Sequence, residues 1–316
     1  MSELLGVVVH WRDEEALAEL IAAWPTDPRF ELVVVDNSRS LDPSMFESTQ
    51  ARLVIPGRNL GFGGGVNRGA ATSDAPWILV LNPDATPESG AVEALLDTCR
   101  RFVERWPDTA GVAPAMAHSN GAPQHRWQLQ PLPTAGTLLA QCCFLGGRRG
   151  PIEPPSEGAT VEQPAAAVLA LRRDVFDAVG GFAEDFYPAW FEDVDLARRF
   201  RDAGWTFRYA PSVGFRHGQG GSVSSLGYGR FLWLYDRHLT RYLRRHHGAG
   251  WALLAHGLLP LAALARIVAL PLRCPRRAVS RVAAARGLLA VVAGALSGWR
   301  WPRSWAESYR PLDSVP

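Results

Sequence analysis

Lysine is absent from this 316-residue chain, so all 33 of its basic side chains are arginine, a bias that carries no functional weight by itself. Cysteine is scarce. Cys99, Cys142, Cys143 and Cys274 lack the paired spacing of a zinc site and the density of a disulfide framework, which excludes both and points to a reducing compartment. No low-complexity tract is long enough for disorder to dominate, and with 47% hydrophobic and 20% charged residues the chain is expected to fold. No basic stretch or cleavage site precedes the first apolar run, Leu4 to Val9, so no secretory leader is expected and the body of the chain is placed in the cytoplasm.

What is present divides unevenly. The length suits one large α/β domain with an appendage, or two ordinary domains. The net charge of +2 conceals a polarity: from Arg230 onward 14 Arg face Asp236, Glu307 and Asp313, a net +11 that leaves −9 for the rest. A basic end on an acidic body points to an anionic partner, lipid headgroups or nucleic acid. Trp251 to Leu272 and Gly287 to Trp299 are apolar runs, separated by a basic stretch with Arg273, Arg276, Arg277, Arg281 and Arg286. Arg266 and Pro260 argue against a simple membrane span, so two interfacial helices joined by a basic turn are expected, with lipid rather than nucleic acid as the partner. A buried helical hairpin at a contact between two copies of the chain is the alternative.

Periodicity gives the fold class. Leu4 to Val9, Leu32 to Val35, Arg52 to Ile55 and Trp77 to Leu81 are short apolar runs of strand character, and Leu17, Leu20, Ile21 and Trp24 have helical spacing between the first two. This predicts an α/β domain with a mostly parallel sheet flanked by helices, its ligands at the carboxyl ends of the strands. Glu88 to Arg105 reads as a helix and Ala117 to Glu162 as a long loop region. A strand over Ala165 to Leu171, helices over Arg173 to Val179 and Asp193 to Ala203, and a strand over Phe207 to Ala210 follow.

Several side chains at those strand ends have chemical potential. Asp36 can accept from the N–H of a uracil or thymine ring, or it can close an Asx-turn. The stretch Gly57 to Gly69 puts small residues where backbone can approach a diphosphate, although its spacing alone better describes a flexible turn. Asn82-Pro83-Asp84 offers an amide and a carboxylate to a hard cation, or simply a turn. Glu192, Asp193 and Asp195 crowd the start of a helix behind Trp190 and Phe191. They suit a cap, with Asp195 and Arg199 as an i,i+4 pair, or a general base whose pKa is raised by aromatic neighbours. His217 by itself is more often structural than a ligand.

Taken in order, these segments resemble family 2 glycosyltransferases, an inverting family with the GT-A fold, and within it the rhamnosyltransferase-like bacterial branch. The resemblance runs over about residues 4 to 247, through Val34-Val35-Asp36-Asn37-Ser38, Asn59 to Gly69, Leu81-Asn82-Pro83-Asp84-Ala85, Val179-Gly180-Gly181-Phe182, Phe191 to Leu196 and His217. It implies a catalytic GT-A domain over 1–247 and a membrane-associating helical appendage over 248–316. By resemblance Asp193 is the catalytic base, supported by Glu192, Asp195, Arg199 and Trp190. Asp84 and His217 hold Mg²⁺ or Mn²⁺. Asp36, Arg58, Asn59, Gly61, Gly65, Asn67 and Asn82 line the donor site, Asn standing where the family's metal motif usually has its first acid. The implied partners are a dTDP- or UDP-sugar donor, dTDP-rhamnose first and UDP-galactofuranose behind it, a lipid-linked acceptor and the inner face of the cell membrane. A nicotinamide-dependent oxidoreductase leaves the acidic cluster and His217 unexplained. A non-catalytic nucleotide-sugar scaffold is the remaining alternative.

Overall fold

The computed structural model describes residues 2–143, 145, 149–218, 227–272, 275 and 280–301. The described residues of Met1–Leu132 and Arg149–Gly221 form one compact unit, and those of Pro133–Arg148 and Ser222–Tyr309 form a second.

The first unit is a three-layer α/β domain. Strands β1 (Leu4–His10), β2 (Phe30–Asp36), β3 (Ala51–Val54) and β4 (Trp77–Leu81) run parallel in the order β3-β2-β1-β4. Beyond β4 the sheet continues through β10 (Val168–Arg172), β6 (Thr109–Ala117), β11 (Thr206–His217) and β5 (Ala85–Pro87), with β8 (Thr160–Val161) also on β11. There β10 is antiparallel to both neighbours, β11 is parallel to β6, and β5 returns antiparallel to β11. A separate ribbon pairs β7 (Leu129–Gln130) with β9 (Gln163–Pro164).

Alternation along the strands decides which helix covers which face. Leu4, Val8, Leu32, Val34, Leu79 and Leu81 point to the side of α1 (Glu14–Ala23) and α3 (Ala91–Arg105), where Leu17, Leu20, Leu95 and Phe102 complete the core. Burying each such Leu contributes roughly 2 kcal/mol. Val7, Val9, Val33 and Val35 point the other way, against α2 (Gly61–Ala70).

The stretch read from sequence as a loop, Ala117 to Glu162, contains α4 (His125–Gln128), β7, α5 (Ala135–Cys142) and β8. Helix α6 (Arg173–Ala178) follows β10, and α7 (Glu192–Asp202) precedes β11. The predicted strand over Phe207 to Ala210 is the first part of β11, which continues across an irregularity between Ala210 and Gly214 to His217.

The second unit is helical: α5, α8 (Tyr228–His246), α9 (Ala249–Ala269) and α10 (Arg281–Leu296). Helix α8 therefore packs with the appendage helices. Gly229 and Gly287 let α8 and α10 approach closely, a Cβ on Gly287 falling 3.0 Å from Gly229 Cα. Pro260 lies inside α9 without ending it. Arg273, Arg276 and Arg277 of the basic turn, and Cys274, lie outside the described residues.

Candidate active site

The first cluster forms where β5 meets β11. Asn82 and Asp84 make the turn between β4 and β5, its geometry set by Ala85 N–H donating to the Asn82 carbonyl at 3.1 Å. The antiparallel register places His217 opposite Ala85, next to that turn. His217 Nε2 lies 3.4 Å from Asp84 Oδ1 and accepts from Asn82 Nδ2 at 3.2 Å. Its Nδ1 donates to Gln124 Oε1 at 3.0 Å, while Gln124 Nε2 donates to the His217 carbonyl at 2.7 Å. Trp127 stacks on the imidazole with centroids 5.4 Å apart and planes 16° from parallel.

This shell fixes the tautomer. With the proton on Nδ1, Nε2 is the unprotonated nitrogen, and it lies between the Asn82 amide and Asp84 Oδ1. Burial lowers the His217 pKa, Asp84 opposes it and the nearby His118 lowers it, and the net shift is downward. A carboxylate oxygen and an imidazole nitrogen converging at a strand end fit a divalent cation that keeps other positions for water and phosphate oxygens. Among the described residues no group of three or more His, Cys, Asp or Glu forms.

Sequence reasoning missed three residues at this cluster. Gln124 and Trp127 lay in the stretch read as loop, where no period marked them. Asp13 begins α1, and burial together with the negative charge of Asp84 raises its pKa. Its only sequence signal was an acidic position at a helix start, which reads as an ordinary cap.

The second cluster is the start of α7. Trp190 and Phe191 adopt φ of 73° and 72°, a left-handed conformation unfavourable for bulky residues that turns the chain into the helix at Glu192. Asp193 Oδ1 accepts from Val194 N–H at 2.8 Å, and Oδ2 accepts from Gln163 Nε2 at 3.1 Å. Glu192 is buried, and its Oε2 has no hydrogen-bond partner. Burial first, then Asp193 and Asp195, pushes the Glu192 pKa well above the usual carboxylate range. Asp195 is wholly buried and pairs with Arg199 Nε at 2.8 Å, and the same guanidinium donates to the carbonyls of Val179 and Gly181.

The expected donor residues occupy other surroundings. Asp36 is fully buried. Its Oδ1 accepts from His10 Nδ1, Ser38 N–H, Ser38 Oγ and Arg39 N–H, and its Oδ2 accepts from Leu41 N–H at 3.0 Å. Burial pushes its pKa up, yet the hydrogen bonds from His10, Leu41 and Ser38 outweigh burial and hold it well below the usual range. The carboxylate thus organises the 37–41 turn.

Gly57 to Gly69 is likewise not a flexible loop, because from Gly61 it is helix α2. A Cβ on Gly65 would fall 2.8 Å from Val9 Cγ1, so this glycine serves helix-to-sheet packing. Gly61, with φ of +71°, faces Pro188 and Tyr187, and Phe62 N–H donates to the Pro188 carbonyl at 2.7 Å. Asn67 clamps Phe182 in both directions, donating to its carbonyl and accepting from its N–H at 2.9 Å each. Asn59 Oδ1 accepts from Gly61 N–H at 2.8 Å, and Asn37 holds the same turn through the Leu60 N–H and the Gly61 carbonyl. Arg58 is exposed. These residues make α2 a platform for the segment that leads into the acidic start of α7.

Residues 12–140 match the model of glycosyl transferase family 2. N-acetylglucosaminyl-diphospho-decaprenol L-rhamnosyltransferase of Mycobacterium tuberculosis is 28% identical over 270 residues, covering 77% of this chain and 79% of the relative. Pre-mycofactocin glycosyltransferase of the same organism is 31% identical over 147 residues, 46% of this chain and 27% of its own length. Among solved structures, mannosyltransferase PcManGT from Pyrobaculum calidifontis in complex with GDP-Man and Mn²⁺ aligns with a TM-score of 0.51 at 17% identity, over 98% of this chain and 85% of that one. GalNAc-T7 with UDP, GalNAc and Mn²⁺ aligns with a TM-score of 0.56 at 14% identity, over 77% of this chain and 48% of that one. Residues 12–140 are thus similar to the glycosyl transferase family 2 domain, and the fold of the first unit is that of GT-A glycosyltransferases.

Proposed function

We propose that this chain transfers one sugar from a nucleoside diphosphate to a hydroxyl of a lipid-linked or polysaccharide acceptor in the bacterial cell envelope, with inversion at the anomeric carbon. The observation that carries the reading is the convergence of Asp84 Oδ1 and His217 Nε2, 3.4 Å apart, at the carboxyl end of the sheet beside Asn82. The relative named for rhamnosyl transfer to N-acetylglucosaminyl-diphospho-decaprenol supports dTDP-rhamnose as the first donor to try and a polyprenyl-linked acceptor. UDP-galactofuranose or another UDP-hexose is the alternative donor.

Asp84 and His217 would hold a divalent cation, Mg²⁺ or Mn²⁺, which when bound supplies positive charge against the leaving diphosphate. Asn82 adjusts His217 from the side, and Arg58 and Asn59 stand near the start of α2 for donor contact. Asp36 acts indirectly, by shaping the 37–41 turn that a nucleobase would meet. Asp193 accepts the proton of the acceptor hydroxyl as its oxygen attacks. Glu192, Asp195, Arg199 and Trp190 keep that carboxylate at the helix start. No covalent sugar intermediate is required.

Transfer assays on Asp193→Asn test this. The variant should bind dTDP-rhamnose as the parent does, in the presence of Mn²⁺, and lose turnover by about a hundredfold or more. Unchanged turnover would remove Asp193 as the base. A parent protein that binds donor but transfers nothing to any hydroxyl acceptor would support the scaffold alternative instead.

A further inference from the structure

We propose that Gln163 is a positioning residue for Asp193, its side-chain amide selecting which of the adjacent carboxyls Glu192 and Asp193 carries the negative charge and fixing how that charge is aimed. The inference rests on Asp193 being the base.

Gln163 is 2% exposed and belongs to the two-residue strand β9, which packs against α7. Its Nε2 donates to Asp193 Oδ2 at 3.1 Å and to its neighbour's Pro164 carbonyl at 3.2 Å. The opposite amide orientation would set Oε1 against a carboxylate oxygen, two acceptors facing each other, so Nε2 is the atom that points to Asp193. Its own Oε1 is buried and takes no hydrogen bond. A buried, half-satisfied amide costs stability, so packing alone favours an apolar side chain at this position.

The donors are distributed unequally over the two carboxyls. Asp193 receives one on each oxygen, from Val194 N–H and from Gln163, whereas Glu192 has a backbone donor only and its Oε2 receives none. Two neighbouring carboxyls in a poorly hydrated place do not both ionise readily, and the one with a donor on each oxygen takes the charge. Glu192 then keeps the proton and Asp193 is the free base. An amide suits this task, because it stabilises the anion without offering a proton of its own to compete with that of the acceptor. Asp195 and its partner Arg199 are further charges on this helix, while β9 presents uncharged Gln163 and α2 meets Glu192 through Gly63.

The test uses the full chain with dTDP-rhamnose, Mn²⁺ and a polyprenyl-diphospho-N-acetylglucosamine acceptor. Gln163→Leu should lower kcat by about tenfold to a hundredfold, leave donor affinity within about twofold and move the acidic limb of the kcat profile to higher pH. Gln163→Glu keeps the shape but replaces the donor with a carboxyl, so at neutral pH it should be slower than the Leu variant. A purely structural role ranks them in the reverse order. Parental kcat and pH profile in Gln163→Leu, or Glu ranking above Leu, would overturn the proposal. If the Leu variant fails to fold, parental kcat in Gln163→Glu overturns it alone. Asp193→Asn separates the two ideas: an active Asp193→Asn defeats the base itself, whereas an inactive Asp193→Asn beside an unaffected Gln163→Leu defeats only the role of Gln163.

Discussion

Asp36 and Glu192 are both buried carboxyls, and the fold treats them in opposite ways. Five donors converge on Asp36, one of them His10 Nδ1, whose Nε2 in turn accepts from Asp13 N–H at 3.0 Å. Asp36→Asn keeps the shape but turns one oxygen into a donor facing other donors, and it should cost about 2–4 kcal/mol, read as a fall in the urea midpoint. Because the folded carboxyl lies below its ordinary value, the stability it gives is complete above about pH 4 and is lost as pH falls towards the folded value. The Asn variant should therefore show a flatter acid limb in circular dichroism at low pH than the parent. An unchanged acid limb would locate that stability elsewhere.

Among elements, α2 has the most specific fit. Its glycines let a helix lie directly on Val7 and Val9 while its outer side carries Asn67 and Phe62 to the 182–188 segment. Gly65→Ala should therefore cost about 1–3 kcal/mol by overpacking, measured by thermal unfolding, and should weaken transfer by loosening the approach to α7. Full stability in that variant would mean α2 shifts freely over the sheet.

The same element shows how far the sequence could be read. The parallel strands were legible because each is a short β-branched run between polar turns, and α1, α3 and α7 were legible from apolar spacing. The role of α2 was not, since glycine suits a turn, a phosphate loop and a close helix contact alike, and only the neighbouring valines decide between them. That Asp84 and His217 lie side by side follows the order implied by resemblance, but the neighbours Gln124, Trp127 and Gln163 were not legible. Their function lies in what they touch across long sequence separations, and neither period nor composition encodes that.

At the scale of the whole molecule, the helical unit carries its own chemistry. Asp236 on α8 is buried, and burial pushes its carboxyl up to about 8 against a downward pull from Arg266. In the unfolded chain that carboxyl titrates near 4, so this unit should be most stable below that value and lose stability as pH rises towards 8. Hydrogen exchange over α8, α9 and α10 should quicken across that interval, and Asp236→Asn should flatten the dependence. Helix α9 has a mean hydropathy of 1.8 and only 22% of its apolar window is buried, with Leu254, Leu261, Leu264 and Val268 on its exposed side. The arginines of this region complement an anionic surface. We expect the full chain to bind vesicles rich in phosphatidylglycerol in a salt-sensitive way, and Leu261→Glu with Leu264→Glu to abolish it. A chain that instead sediments as a dimer and ignores vesicles would assign that face to a second copy.

The junction of β5 and β11 has a further consequence, for the order in which the protein matures. Asn82 and His217 lie 135 residues apart in sequence, yet they meet because β5, a three-residue edge strand, pairs with the last strand of the sheet. A nascent chain that has emerged only as far as α7 already contains Asp84 and the acidic cluster but has no histidine to complete the pair. Closing such a long loop is slow and entropically costly. The Asp84 and His217 side chains should therefore meet late and abruptly, only once β11 has joined the sheet and β5 has paired with it.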